Sequence, residues 1–123
     1  MKFDLEERLI HFSVSVLNLS EKIRDTKANN HLCSQLIRSA TAPPLVYGEV
    51  NAAESPAAFV HKMGIGLKEL RETRNCLKIL QLKKFVDDPD QIEKVLDENQ
   101  QLIVIFGKSI NTAKQRIATK KIS

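Results

Sequence analysis

From Ile92 onward the apolar residues of this chain recur in alternating steps of four and three. The series runs Ile92, Leu96, Ile103, Phe106, Ile110, Ala113 and Ile117, with Asn99 as its one polar member. Such steps keep side chains on one face of an α-helix but scatter them over both faces of a strand, so this stretch is committed to one long helix. Asn99 either fixes register, pairs with a polar group opposite, or faces water at the edge of the packing. Near the start, Leu5, Leu9, Phe12, Val16, Leu19 and Ile23 keep the same rhythm, and Ile10, Val14 and Leu17 widen the stripe. A face that wide packs against two neighbours, as a bundle helix does.

Two further helices are marked by their punctuation. Ser55 followed by Pro56 supplies a capping hydroxyl and a proline at the first helical position, after which Phe59, Met63, Leu67, Leu70 and Leu77 form an apolar face. Asp88 followed by Pro89 opens the long helix in the same way, with Asp87, Asp90 and Glu93 near the positive end of its dipole. A remaining segment, with Leu32, Leu36, Ile37 and Ala40 on one face, runs into Pro43 and Pro44. Neither proline can donate to the carbonyls of Ser39 and Ala40, and each disfavours helical angles in its predecessor. Because Leu45, Val46 and Val50 continue the apolar surface, residues 28–53 read as one helix broken at the prolines. The freed carbonyls then need water, a side chain or a neighbouring subunit. The bend is expected to shape a groove or an inter-subunit surface.

Short connections between four helical segments imply antiparallel neighbours. The expected fold is therefore all-α, an up-down-up-down four-helix bundle with its second helix kinked at Pro43–Pro44. At 123 residues, with no shift of composition, low-complexity run or fixed-period repeat, residues 1–123 form a single domain in this reading. Only 4 glycines and 5% aromatics argue against a strand-rich alternative. Gly64 and Gly66 lack the context of a phosphate loop, and close helix packing explains them better.

No catalytic constellation is visible. His11, His31 and His61 lie on three different segments, His31 and Cys33 point about 200° apart on a helix, and no Glu-x-x-His motif of a di-iron bundle is present. Cys33 and Cys76 lack CxxC spacing and read as reduced, structural thiols. We therefore expect no enzymatic activity, no cofactor, no metal and no small-molecule substrate. The charged start and the lack of a membrane-length apolar run lead to an expected cytoplasmic location.

Charge is more informative, since a net of +4 conceals segregation. Residues 59–86 hold seven Lys or Arg against two acids, and residues 87–107 hold six acids against one Lys. Those blocks neutralise each other across one turn. Lys108, Lys114, Arg116, Lys120 and Lys121 follow with no acid between residue 108 and the end. They suit the negative end of the helix dipole and a solvated tail, or contact with a phosphate backbone. Arg71, Arg74 and Lys78 form a second candidate stripe, about 100°, 40° and 80° from Leu70. Arg74 falls inside the apolar sector, so it either snorkels at a groove or meets an acid of a neighbouring helix.

Three stretches also resemble a known family: DLEERLIHFSVSVLNLSEKI, SQLIRSATAPP and SPAAFVHKMGIGLKELRETRNCLKIL. They are similar to the bacterial four-helix-bundle proteins first noticed in intervening sequences of large-subunit ribosomal RNA genes, sometimes labelled ribosomal-protein-like. The same fold family includes accessory proteins of diversity-generating retroelements. The likeness is most specific at Ser34-Gln35-Leu36, Arg38-Ser39-Ala40, Pro43 and Glu69-Leu70-Arg71-Glu72. It implies a homo-oligomer, typically a pentameric barrel of bundles, without enzymatic activity and associated with RNA or a ribonucleoprotein. The chain departs from the family pattern at Ile37, where relatives often carry a second basic residue. It departs again at PLVYGE, where they carry Ser-Asn-Ile-Ala-Glu-Gly.

Two function classes result: a non-catalytic, oligomeric adaptor for RNA or a nucleic-acid-binding protein, and an oligomeric protein-interaction scaffold with no nucleic-acid role. Assembly beyond a dimer is expected from the breadth of apolar surface on the first and last helices, including Val104 and Ile105 beside Ile103 and Phe106.

Overall fold

The structure is a computed structural model and describes residues 4–50 and 55–122. Its four helices are α1 (Leu5–Ser20), α2 (Lys27–Val50), α3 (Pro56–Lys83) and α4 (Pro89–Ile122), and no strand occurs among the described residues. Each helix packs on two others in a square, with α1 and α3 both against α2 and α4, while neither diagonal pair makes close backbone contact. Ion pairs show the antiparallel order. Arg8 of α1 meets Glu98 of α4 and Lys22 meets Asp88, while Arg38 of α2 meets Glu69 of α3 and Glu49 meets Lys62. Leu9, Phe12, Val16, Leu36, Ala40, Met63, Leu70, Leu77, Leu102 and Phe106 belong to one continuous buried core.

Helix starts follow local capping chemistry. Asp4 accepts from the Glu7 amide at 2.8 Å, Ser55 from Ala58 at 3.1 Å and Asp88 from Gln91 at 3.2 Å. Thr26 does the same for α2 through the Asn29 amide at 3.1 Å. At the other end of α3, Lys84 adopts φ 56°, the left-handed conformation. Its amide donates to Gln81, and the Phe85 amide reaches back to the Leu80 carbonyl at 3.2 Å, closing a Schellman turn that delivers Phe85 to the core.

The break expected in the second helix is absent. α2 stays helical through both prolines to Val50, and residues 51–53 of the expected segment lie outside the described residues. One of the freed carbonyls is met from α1. Buried Ser13 donates its hydroxyl to the Ala40 carbonyl at 2.7 Å, replacing the donor that Pro44 lacks. The prolines thus remove hydrogen bonds without removing helical conformation. Pro43 itself is buried.

Three buried features lock α3 to its neighbours. Asn99 is fully buried and donates through Nδ2 to the Leu70 carbonyl at 3.1 Å, so of its three readings the polar partner opposite is realised. Thr73 and Ser39, both fully buried, join hydroxyls at 2.9 Å between α3 and α2. Gly66 lies so close to α4 that an added Cβ would stand 2.6 Å from Cε2 of Phe106, which accounts for this glycine by close packing. Gly64 has open space instead, so packing does not explain it.

Candidate nucleic-acid interface

Unequal helix lengths create the most distinctive surface. α4 has 34 residues, about 51 Å at 1.5 Å per residue, whereas α1 has 16. Near its start α1 grips α4 through Arg8, whose guanidinium donates to both carboxylate oxygens of Glu98 at 2.7 and 2.8 Å and to Gln101 at 2.6 Å. The hydrogen bonds to Glu98, reinforced by its charge, raise the Arg8 pKa still further against a smaller opposing effect of burial. α1 begins at Leu5, one turn before this grip. The α4 face that carries Glu98 and Gln101 continues at helical spacing through Lys108, Thr112, Arg116 and Thr119 with no described helix over it.

Along this part of α4 lies an open groove of about 1110 Å³. Val50 at the end of α2, Phe59 near the start of α3, and Ala113 and Ile117 of α4 supply apolar lining, while Lys108, Arg116 and Lys120 are its charged residues among those described. All three cations are exposed, and no carboxylate lines the groove among the described residues. Lys114 and Lys121 are exposed as well, but the structure does not bring them into this groove. The sequence separates Phe59 and Val50 from the terminal cations by half the chain, and only the hydrophobic periodicity that pairs α3 with α4 hints at their meeting.

The second candidate stripe fares differently. Arg74 and Lys78 line a shallower groove of about 460 Å³ between α3 and α4, opposite Glu93 and Asp97. Arg74 is half-buried there, with its Nε enclosed and lacking a hydrogen-bond partner. Of the two readings offered for Arg74, the groove is the one realised. Its surroundings are of mixed charge, unlike the uniformly basic terminal arm. Arg71 is exposed and does not line this groove.

Residues that carry the family resemblance turn out to face one another. Arg38 bridges Glu69 at 3.0 Å and also Glu72, while the adjacent Ser39 holds Thr73. Its guanidinium pKa is raised by the hydrogen bond to Glu72 first and the charge of Glu69 next. These motif positions therefore clamp α2 to α3. Sequence reading missed this clamp, although acids spaced three apart on one helix are a signal that a single Arg can span both.

His11, His31 and His61 are all exposed, Cys33 and Cys76 are free thiols, and no cluster of three or more potential metal ligands occurs among the described residues. No described helix is long and apolar enough to cross a membrane.

An antiparallel four-helix bundle with one overlong, basic final helix is the class of protein that these features define. More particularly, the chain belongs to the 23S rRNA-intervening sequence protein family, whose model matches residues 1–108. Among solved structures it is similar to a protein with unknown function from the S23 ribosomal protein family of Bacteroides thetaiotaomicron VPI-5482. That likeness has a TM-score of 0.79 and 23% identity, and covers 87% of this chain and 98% of that one. No curated protein matches the chain. Lys114, Arg116, Lys120 and Lys121 lie beyond the matched span.

Proposed function

We propose that this protein is a non-enzymatic, homo-oligomeric adaptor that holds RNA by its phosphate backbone, chiefly through the second half of α4. One observation carries the reading. Lys108, Lys114, Arg116, Lys120 and Lys121 are all exposed on one helix that outruns α1, and no acid interrupts them. Exposed cations that meet phosphates release condensed counterions, which gives salt-dependent, sequence-tolerant affinity. Arg71, Arg74 and Lys78 are secondary contributors in this reading, because Glu93 and Asp97 oppose two of them. Repetition of the arm in an oligomer would raise avidity without any new contact.

Filter binding of a structured RNA tests this at about 50 and 200 mM salt, the range over which backbone contacts weaken steeply. Wild type should lose most of its affinity across that range. Gln at the five α4 positions should abolish binding, while Gln at Arg71, Arg74 and Lys78 should reduce it less. Absence of salt-sensitive binding by wild type would end the RNA reading.

An apolar surface favours the second reading, a protein-interaction scaffold. Ile10, Val14 and Leu17 form an exposed stripe on α1, and Leu45 of α2 is 72% exposed. In the adaptor reading this surface serves self-association. Light scattering that returns 13.9 kDa across micromolar concentrations would remove the oligomer from both readings.

A further inference from the structure

We infer that the outer face of the α3–α4 seam is a contact on which two copies of the chain meet about a two-fold axis parallel to the helices. This rests on the oligomer in the reading above and names a surface that builds it.

Two stripes flank the seam, each with the four-three spacing of one helical face. On α3 the stripe is Gly64, Leu67, Arg71, Arg74 and Lys78, and on α4 it is Glu93, Asp97, Gln100, Val104 and Gly107. Because the two helices are antiparallel, the stripes run level, from Lys78 beside Glu93 at one end to Gly64 beside Gly107 at the other. The groove that Arg74 and Lys78 share with Glu93 and Asp97 fixes this register, as does the bond from Asn99 to Leu70.

The facing charges do not pair within the chain. Among the described residues Arg74, Lys78 and Glu93 have no ion-pair partner, and Asp97 accepts only from Gln101, one turn along its own helix, at 2.7 Å. Nε of Arg74 is enclosed without a hydrogen-bond partner. Further along the seam, Val104 is 43% exposed, and Gly64 and Gly107 have open space where a Cβ would stand. Neither glycine presents a side chain that would hold a second surface away.

A two-fold axis parallel to the helices sets α3 of one copy against α4 of the other at unchanged height, again antiparallel. Every level is then complementary. Lys78 of one copy meets Glu93 of the other, Arg74 meets Asp97, Arg71 meets the amide of Gln100, and Leu67 meets Val104. Each pairing occurs twice, as a self-complementary patch requires. A two-fold axis across the helices would instead set one basic stripe on the other, so charge selects between the two arrangements. Arg71, Arg74 and Lys78 then serve RNA binding through the avidity of the assembly.

Sedimentation equilibrium of the full-length protein provides the test. Wild type should associate, and less tightly as salt screens the charges. Arg74→Glu with Lys78→Glu makes both stripes acidic, whereas Glu93→Lys with Asp97→Lys makes both basic. Each double variant alone should self-associate at least about 100-fold more weakly, since like charges then stand face to face. An equimolar mixture of the two should regain the wild-type affinity, because each supplies the charge that the other lacks; misfolded variants would not. A wild type that stays monomeric would overturn this contact and the oligomer reading together. An associating wild type whose mass both variants keep would overturn this contact and leave the oligomer standing, as would variants that dissociate but fail to associate with each other. Unchanged mass with RNA binding lost only from the acidic variant would give the stripe of α3 to RNA, and the inference would fall.

Discussion

The hydroxyl of Ser13 lies 2.7 Å from the carbonyl oxygen of Ala40, the same oxygen to which Pro44 has no amide proton to give. A second contact, 3.1 Å to the Leu9 carbonyl, is longer, and a serine hydroxyl has one proton. The short contact to Ala40 is therefore the natural donation. It crosses from α1 to α2 at a buried position, where an unpaired carbonyl is costly.

Ser13→Ala should accordingly destabilise the protein by about 1–3 kcal/mol, the desolvation penalty of an unsatisfied buried group. Pro44→Ala restores an amide donor, so the same serine substitution should cost less in that background. Urea unfolding of the four members of this double-mutant cycle would measure the coupling. Equal losses in both backgrounds would show that Ser13 acts through packing alone.

Gly66→Ala and Gly64→Ala should move stability in opposite directions although only one residue separates the positions. At Gly66 a methyl group meets the fully buried ring of Phe106 at 2.6 Å, and overpacking of this kind costs about 1–3 kcal/mol. At Gly64 the space is open, so the helical preference of alanine should add up to about 1 kcal/mol. Thermal melts of the two variants give the signs directly.

Lys84→Gly should raise stability by about 1 kcal/mol, since a left-handed residue with a Cβ is strained and glycine is not. A melt unchanged or lowered would mean that the lysine side chain contributes as much as the strain removes.

Alkaline pH should weaken the fold. Burial is the first cause that raises the pKa of the Cys76 thiol above its ordinary 9.0 and of the Tyr47 phenol above 10.0, with the charges of Glu72 and of Asp4 and Glu6 adding respectively. Both groups are favoured in their neutral forms by folding. Their contribution is fully present below the unfolded pKa values and is lost as pH climbs through the raised ones. Melting temperature should therefore fall between about pH 9 and 11, and Tyr47→Phe should make that fall shallower.

Much of the architecture was legible because it is written locally. Ser55-Pro56 and Asp88-Pro89 cap the helices they were expected to open, and the four-three series from Ile92 lies on α4 with Asn99 in its buried face. Pro43 and Pro44 do not break α2 as expected, and the donor that α1 supplies in place of that of Pro44, far away in the chain, has no local signal. The cations of α4 were equally plain in the sequence. Their groove was not, since it depends on a difference in length between α1 and α4 and on the level at which Arg8 meets Glu98. For the same reason the opposition of Arg74 and Lys78 to Glu93 and Asp97 appears only once α3 and α4 are set in register.

The bond between Arg8 and Glu98 spans 90 residues, whereas the seams of α1 with α2, α2 with α3 and α3 with α4 each join neighbours in the chain. Three of the four seams can therefore zip as successive hairpins while the polypeptide is still being synthesised. The fourth waits for the final helix to emerge. Until then the α4-facing side of α1 is bare, and a nascent chain that has reached only α3 is most exposed to wrong association at that helix. Closing the square is the step with the largest loop to close, so it should set the folding rate more than any hairpin does.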